Sequence, residues 1–231
     1  MLKKPVKGMI DPTGTITREY VEDYIRQLLP PEKGMLQQLK EEAEERHIPI
    51  IEPEVAALLK SIIKMSGTRT ILEVGTAFGY SAILFATAAG RESRVTTIER
   101  DPNYTEEAMK NIEKADLQDN IKIIHGDALE VLPCLAEPFD MIFLDGAKGH
   151  YGEMLDKSVQ LLNPGGLLIS DNILFRGMVA SDDLVRRRKK TIVTRMRQYL
   201  ETITSHPLLE TSILPVGDGL AISLKTQEET E

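Results

Sequence analysis

The chain has little of the residue types that build cross-links, metal clusters or membrane anchors. Cys134 is its one cysteine and it has no tryptophan. An intrachain disulfide and a thiolate metal cluster are therefore excluded. No apolar run reaches the roughly 20 residues that span a bilayer, and the basic start of the chain lacks the apolar stretch of a secretory signal. We expect a cytoplasmic protein without a membrane-spanning segment.

The overall amino-acid composition is ordinary, and the net charge is negative. Of 231 residues, 42% are apolar and 28% are charged, and the net charge is −8. This composition is typical of a globular protein with a sizeable core. A protein that coats nucleic acid uniformly is excluded, because phosphate binding depends on positive charge. Positive charge is nevertheless concentrated in one run, RRRKK at 186–190.

Apolar periodicity predicts three helices and then an alternation of strands and helices. The first helices are predicted at 17–29, 32–47 and 52–65. Strands are predicted at 70–74, 94–99, 121–125, 139–145 and 166–170, separated by helices at 80–89, 103–115, 128–135 and 150–162. This alternation is typical of an α/β fold with a mostly parallel sheet.

The C-terminal part predicts a long basic helix at about 182–203 and then a hairpin around 217–219. The hairpin adds an antiparallel pair at one edge of the sheet. We expect a flexible tail at 1–14, a helical extension at 15–66 that packs on the core, and a core at 67–231. No internal repeat is present.

Glycines and acidic residues lie at the ends of three successive predicted strands. Gly75 and Gly79 follow the first strand and let the backbone and helix amides approach a ligand. Glu73 comes just before this turn, where a carboxylate suits a positively charged ligand. Glu99 ends the next strand, where acidic side chains commonly bind ribose hydroxyls, and Asp127 follows the third. Each also has a simpler interpretation, as part of a tight turn or, for Asp127, as a helix N-cap.

With these residues, the chain over about 50–225 resembles the class I S-adenosylmethionine-dependent methyltransferases. The resemblance implies a Rossmann-like α/β fold with a mostly parallel seven-stranded sheet, a C-terminal antiparallel hairpin and an N-terminal helical extension. It also implies S-adenosylmethionine as cofactor. The cofactor-binding set that it implies is Ile51, Glu73, Gly75, Thr76, Gly79, Tyr80, Ser81, Glu99, Arg100, Asp127, Ala128 and Asp145.

A second polar group follows two further predicted strands. Asp145 ends one strand, and Asp171 with Asn172 ends the next. In a parallel sheet these ends lie at the same edge. Two carboxylates and an amide oxygen favour Mg²⁺, or Mn²⁺ or Ca²⁺, over zinc. Asp145 by itself would be interpreted as a helix cap, and Asp171 with Asn172 as a turn. Their position beside the predicted cofactor site favours a metal site instead.

These residues narrow the resemblance to the metal-dependent O-methyltransferases, the catechol and caffeoyl-CoA group. Asp145, Asp171 and Asn172 match the metal ligands of that group, and Lys148 matches its proposed base. A metal would make an acceptor hydroxyl acidic, and Lys148 would take the proton or steady the oxyanion. A solvated surface lysine is the alternative. The animal catechol enzymes flank the metal with a tryptophan, which is missing here.

Several stretches resemble the bacterial branch that methylates 5-hydroxyuridine at the tRNA wobble position to 5-methoxyuridine. They are HIPIIEPE (47–54), GTAFGYSAI (75–83), DGAKGHY (145–151), SDNILFRGMVA (170–180) and the basic stretch at 185–196. The resemblance implies the tRNA anticodon stem-loop as partner. Positive charge near the site favours phosphate contacts, for which the candidates are Arg176, Arg186, Arg187, Arg188, Lys189 and Lys190.

Two alternatives to this acceptor and partner stay open. The basic run is equally interpreted as a solvated helix face, or as the partner of acidic residues 41–45 across a dimer. A small catechol-like or caffeoyl-CoA-like phenol is the alternative acceptor. The amphipathic helices before residue 65 are predicted to cover the site or to form a dimer contact, and we expect a homodimer.

Overall fold

A computed structural model describes residues 16–226, so the tail predicted at 1–14 lies outside the described residues. Three helices come first: α1 (Glu19–Leu28), α2 (Met35–Arg46) and α3 (Pro53–Ser66). Strands and helices then alternate as β1 (Thr70–Val74), α4 (Tyr80–Ala89), β2 (Arg94–Glu99), α5 (Pro102–Lys114), β3 (Ile121–His125), α6 (Ala128–Val131), β4 (Phe139–Leu144), α7 (Tyr151–Leu161) and β5 (Leu162–Ser170). The last elements are α8 (Lys190–Thr204), β6 (Leu209–Leu214) and β7 (Leu220–Lys225).

The strands form one seven-stranded sheet in the order β3-β2-β1-β4-β5-β7-β6. The first five strands are parallel, while β7 pairs antiparallel with both β5 and β6. The strand order reverses between β1 and β4, which is where parallel α/β sheets open a crevice at the carboxyl ends of their strands. The predicted α/β fold with a C-terminal antiparallel hairpin is confirmed.

Alternation along the strands supplies a core on each face of the sheet. Ile71 and Phe143 pack on one face with α2, α3 and α4, while Leu72 and Ile142 pack on the other with α7 and α8. Neighbouring residues of a strand point to opposite faces, so β1 and β4 are apolar on both sides. Such strands are typical of a central parallel sheet.

The N-terminal helices pack directly on the sheet core. Leu39 of α2 and Leu59 and Ile63 of α3 are buried in the same cluster as Ile71. Helix α1 is joined to α3 by Arg26, whose guanidinium donates hydrogen bonds of 2.8 and 2.7 Å to the Glu54 carboxylate. The segment at 47–52 connects α2 to α3, and its residues 49–52 line the crevice.

The structure corrects two predicted helices. The basic helix begins at Lys190 and not near 182, since 182–189 forms two short 3-10 turns, Asp182–Leu184 and Arg187–Lys189. Consecutive positive charges at a helix N-terminus are unfavourable for the helix dipole and repel each other at i,i+3 and i,i+4. Helix α6 ends at Val131 and continues as a 3-10 turn over Leu132–Cys134, because Pro133 has no N–H to donate to an α-helical hydrogen bond. Within 16–226, no helix is long and apolar enough to cross a membrane.

Candidate active site

A cleft of about 870 Å³ opens at the carboxyl ends of the central strands. Its walls include the turns after β1, β2, β4 and β5, the segment at 49–52, and the turn between β6 and β7. Predicted site residues on its wall are Ile51, Gly75, Glu99, Arg100, Asp127, Ala128, Asp145, Lys148, Asp171, Asn172 and Arg176. The fold therefore brings the predicted cofactor end and the predicted metal end into one cavity.

Two glycines let the turns after β1 and β4 pack together at the floor of the cleft. Gly75 has φ 105°, and a Cβ there would lie 2.7 Å from the backbone nitrogen of Gly146. The Gly146 amide donates a 2.7 Å hydrogen bond to the Val74 carbonyl, which joins the two turns. Any side chain at Gly75 would both strain the backbone and push the turns apart.

The carboxylates at one end of the cleft are held in place by backbone amides. Glu99 accepts hydrogen bonds from the amides of Ala77 (2.9 Å) and Asp101 (2.8 Å), one on each oxygen. Asp127 accepts one from the Leu129 amide at 2.9 Å and so caps α6. Both side chains line the cleft as well. Since a carboxylate oxygen accepts more than one hydrogen bond, both remain able to bind donors of a ligand.

At the other end, a lysine contacts two of the residues predicted to bind a metal, Asp145 and Asn172. The Lys148 Nζ is 3.3 Å from the Asp145 Oδ1 and donates a short hydrogen bond to the Asn172 Oδ1. Asp171, next to Asn172, is 1% exposed. The Tyr151 hydroxyl is 2.8 Å from the Leu144 carbonyl and 3.2 Å from the Asp171 carbonyl, which fixes the ends of β4 and β5 relative to each other.

Negative charge is concentrated around this end of the cleft. Burial raises the pKa of Asp171 well above its ordinary value, and the charges of Asp145 and Glu52 raise it further. Burial also raises the pKa of Asp218, in the turn between β6 and β7. The carboxylates of Glu52, Asp145, Asp171 and Asp218 thus share the cleft wall with Lys148, Arg26 and Arg176. Among the described residues, no group of three or more His, Cys, Asp or Glu side chains has the arrangement of a metal site; the candidate donors are two carboxylates and an amide.

Comparison with known proteins identifies the family. The O-methyltransferase family model matches residues 28–226. The chain is 32% identical over 217 residues to the catechol O-methyltransferase of Niastella koreensis, covering 89% of this chain and 96% of that protein. The chain belongs to the O-methyltransferase family. This membership confirms the predicted enzyme class, an S-adenosylmethionine-dependent O-methyltransferase.

Solved structures of similar proteins have the same fold as this methyltransferase. A putative caffeoyl-CoA O-methyltransferase from Staphylococcus aureus superposes with a TM-score of 0.84 at 33% identity, over 90% of this chain and all of that one. An O-methyltransferase from Bacillus cereus, solved in complex with S-adenosylhomocysteine (SAH), superposes with a TM-score of 0.79 at 28% identity, over 93% of this chain and 99% of that one.

Five predicted cofactor-binding residues of the methyltransferase are not on the cleft wall: Glu73, Thr76, Gly79, Tyr80 and Ser81. Glu73 lies below the floor, fully buried, and accepts a 2.6 Å hydrogen bond from the Thr97 hydroxyl, which is itself 2.5 Å from that of Thr76. Tyr80 borders a second cleft of about 1140 Å³ behind the segment at 49–52. The Thr97 hydroxyl thus links Glu73 to Thr76 on the buried side of the turn after β1.

The basic segment of the methyltransferase, defined as Arg186–Lys190, is exposed. Its Lys189 Nζ is 5.6 Å from the ring centroid of Phe175, which lines the cleft with Arg176. Arg197, on α8 just after the basic stretch at 185–196, makes contacts within the protein. It binds the carbonyls of Met178 and Val179 and the carboxylate of Asp182, and so anchors that loop.

Two acidic residues of the site were missed by sequence reasoning. Glu52 and Asp218 both line the cleft. Burial raises the pKa of Glu52, and the charges of Glu54, Asp145 and Asp218 add to this effect. Both residues stand within stretches that carried the resemblance, HIPIIEPE and the hairpin turn, but neither ends a parallel strand.

Proposed function

We propose that this methyltransferase moves the methyl group of S-adenosylmethionine onto a metal-activated hydroxyl, and that the acceptor is 5-hydroxyuridine at the tRNA wobble position. One observation carries the proposal. The carboxylates Glu99 and Asp127 line the same cleft as the Asp145, Lys148 and Asp171 group. One cavity therefore has carboxylates suited to a nucleoside cofactor and oxygen donors suited to a divalent metal.

For the cofactor, the chain supplies acceptors for its hydrogen-bond donors. Glu99 would accept from the ribose hydroxyls and Asp127 from the adenine amine, while Gly75 lets the ligand lie against the backbone. Ile51, Arg100 and Ala128 complete this part of the wall. The bound cofactor would supply an electrophilic methyl group on a positively charged sulfur. The Bacillus cereus relative, solved with SAH, supports this assignment.

The donor set fits a hard divalent cation, which we propose is Mg²⁺ held by Asp145, Asp171 and Asn172. The Lys148 ammonium already contacts Asp145 and Asn172, so a positive charge suits this position. A bound metal would lower the pKa of an acceptor hydroxyl. Lys148 would receive the released proton or stabilise the resulting oxyanion.

The acceptor assignment is supported by the positive charge of the basic segment. The chain has a net charge of −8, yet five exposed cations follow one another in the basic segment, and one of them, Lys189, lies over the ring of Phe175 on the cleft wall. A 5-hydroxyuracil has two neighbouring oxygens, on C4 and C5, that can bind one metal as a catechol does. Its RNA supplies the phosphates that a basic surface attracts. The expected product is 5-methoxyuridine in the anticodon stem-loop.

A second candidate acceptor is a small phenol. It is favoured by the relatives, among them proteins named catechol O-methyltransferase and putative caffeoyl-CoA O-methyltransferase. The phosphates of a CoA thioester would also suit the basic segment. Catechol has no phosphate and would leave that segment unused.

Transfer assays with labelled S-adenosylmethionine separate these acceptors. The substrates are tRNA that carries 5-hydroxyuridine, catechol and caffeoyl-CoA, each with Mg²⁺ and with a chelator. We expect methylation of the tRNA, lost with the chelator and restored by Mg²⁺. Methylation of a phenol without methylation of the tRNA contradicts the proposed acceptor, and undiminished activity in chelator contradicts the proposed metal.

Replacing Arg186, Arg187 and Arg188 together with alanine is expected to weaken tRNA binding and to flatten its salt dependence. Each lost phosphate contact lowers the slope of log K against log salt concentration by about 0.7 to 0.9. Binding is measured by fluorescence anisotropy from low to high salt. Alanine at the exposed residues Lys110, Lys114 and Lys122, on α5 and β3, is the control. An unchanged slope for the arginine variant contradicts an RNA contact.

We further propose a homodimer formed through the outer face of α1. Tyr20, Tyr24 and Leu28 are 66%, 62% and 66% exposed on this helix. Large apolar side chains clustered on one exposed surface are typical of an interface. Sedimentation velocity should give a dimer for the wild type and a monomer when the three residues are serine. Serine at Met65 and Met109, which are exposed elsewhere, should leave the dimer intact, and a wild-type monomer contradicts the proposal.

A further inference from the structure

Glu52 carries a buried carboxylate oxygen that nothing in the described part of the chain satisfies. Its Oε2 has no hydrogen-bond partner within residues 16–226, although the residue lines the active-site cleft. Buried polar atoms are nearly always hydrogen-bonded, and one that is not calls for an explanation. A carboxylate accepts hydrogen bonds and cannot donate them, so the partner that Glu52 lacks is a donor or a cation.

Close packing holds this carboxylate in place. Gly217, in the turn between β6 and β7, has φ 56°. A Cβ there would come within 2.7 Å of the Val55 side chain and 3.2 Å of the Glu52 Oε2. The turn therefore lies directly against Glu52, and a substituted residue would not fit without a shift. This packing limits the ability of Glu52 to turn away to solvent.

Two cations of the cleft wall are engaged elsewhere. Arg26 makes two hydrogen bonds with Glu54, and Lys148 contacts Asn172 and Asp145. The other close charges are the carboxylates of Asp145 and Asp218. A ligand group that approaches Glu52 thus meets a negative surrounding. An N–H donor is favoured there, and a carbonyl or phosphate oxygen is disfavoured.

We propose that Glu52 determines acceptor specificity by accepting a hydrogen bond from a ring N–H that lies beside the metal-binding oxygens of the acceptor. This inference rests on the proposed function. In 5-hydroxyuracil the oxygens on C4 and C5 would bind the metal, and the imide N3–H is next to C4. A catechol has a carbon-bound hydrogen at the matching position and offers no donor.

This role makes the site selective by leaving a buried acceptor unpaired when the wrong ring binds. A site built to hydrogen-bond a substrate N–H or O–H strongly rejects an analogue without it, because the buried polar group then loses its water without gaining a partner. Glu52 would therefore distinguish hydroxyuracil from phenols of similar size, while the metal ligands would accept both.

The test uses two synthetic anticodon stem-loops, one with 5-hydroxyuridine and one with its N3-methyl derivative. Both keep the C4 and C5 oxygens, and only the first has the N–H. We expect the wild type to methylate the N3-methyl stem-loop with a kcat/KM lower by about 100-fold, the upper range for a hydrogen bond to a charged group. In Glu52→Ala the two stem-loops should differ by less than about threefold, because the acceptor is gone and space is available. Glu32→Gln, which removes an acid paired with Lys60 near the second cleft, should keep the wild-type ratio.

Binding of SAH, measured by calorimetry, shows whether Glu52→Ala is folded and whether the carboxylate serves the cofactor. We expect unchanged affinity; a loss of more than about tenfold in a folded variant assigns Glu52 to the cofactor and overturns the proposal. If Glu52→Ala does not fold, Glu52→Gln replaces it and should reduce the N3-methyl penalty. Two other results contradict the role of Glu52 but leave the proposed function intact. One is an equal loss of kcat/KM on N3-methylation in wild type and variant, and the other is a wild type that methylates both stem-loops equally. A wild type that methylates catechol and neither stem-loop overturns the proposed function itself.

Discussion

Replacing Asp171 with asparagine is expected to lower methyl transfer by about a thousandfold or more. Asp171 is buried at the end of β5, beside Asn172 and opposite Asp145. We propose these three as the ligands of the metal, whose stabilisation of a developing oxyanion is worth several kcal/mol. An asparagine keeps the shape of the side chain but removes one negative charge from the ligand set. The measurement is kcat/KM with each acceptor at saturating Mg²⁺.

The same substitution is expected to raise the thermal stability of the metal-free protein. Burial, Asp145 and Glu52 together raise the pKa of Asp171, so its charge opposes folding at neutral pH. Asparagine retains an oxygen for the 2.6 Å hydrogen bond from the Asn172 amide. Activity and stability should therefore move in opposite directions, which is typical of a residue kept for function.

Asp156→Asn, an exposed replacement on α7, is the control for both measurements. It should leave the rate and the melting temperature of the protein in chelator nearly unchanged. If Asp171→Asn keeps a rate within about tenfold of the wild type, the carboxylate is not a metal ligand. If the variant is inactive and also unfolds at a lower temperature, Asp171 has a structural role.

The parts of the fold and site that follow local rules were predictable from the sequence. Apolar runs and Gly-rich turns located β1 and its following helix, and the ends of parallel strands share an edge by geometry. For this reason the sequence alone predicts Glu99, Asp127, Asp145 and Asp171 at one edge of the sheet. The family comparison confirmed the enzyme class, and the structure placed these four side chains in one cleft.

The missed features depend on packing between segments distant in sequence. Glu52 is part of the site because the start of α3 packs beside the turn at Gly217, about 165 residues later in the chain. The periodicity of apolar residues cannot predict a contact between segments so far apart. Asp218 enters from the same turn. The sequence predicts the start of α8 too early because arginine has a high helix propensity, whereas neighbouring like charges and the helix dipole oppose a helix there.

Replacing Glu73 with glutamine is expected to stabilise the protein above neutral pH. Glu73 is fully buried below the cleft floor, and its Oε1 has no hydrogen-bond partner in residues 16–226. Burial raises its pKa to about 7 from 4.5, although the hydroxyls of Ser81 and Thr97 lower it. A difference of this size corresponds to about 3 kcal/mol between the charged and neutral forms.

The pH dependence gives this prediction its sign. Below about pH 4.5 the carboxyl is protonated in both the folded and unfolded chain, so wild type and Glu73→Gln should be equally stable. As the pH rises from 4.5 to about 7, the unfolded wild type loses its proton first and wild-type stability falls relative to the variant. Above about pH 7 the full difference should remain. Urea unfolding at pH 4.5, 6 and 8 measures it, and a difference that does not change with pH contradicts the raised pKa.

A carboxylate retained at this cost of stability is explained if a cationic ligand binds above it. S-adenosylmethionine has a positive charge on sulfur that SAH lacks, and a nearby positive charge favours the ionised form of an acid. Saturating S-adenosylmethionine should therefore reduce the stability difference between wild type and Glu73→Gln at pH 8, and SAH should reduce it less. Equal effects of the two ligands would mean that Glu73 supports the turn at Gly75 without acting on the sulfonium charge.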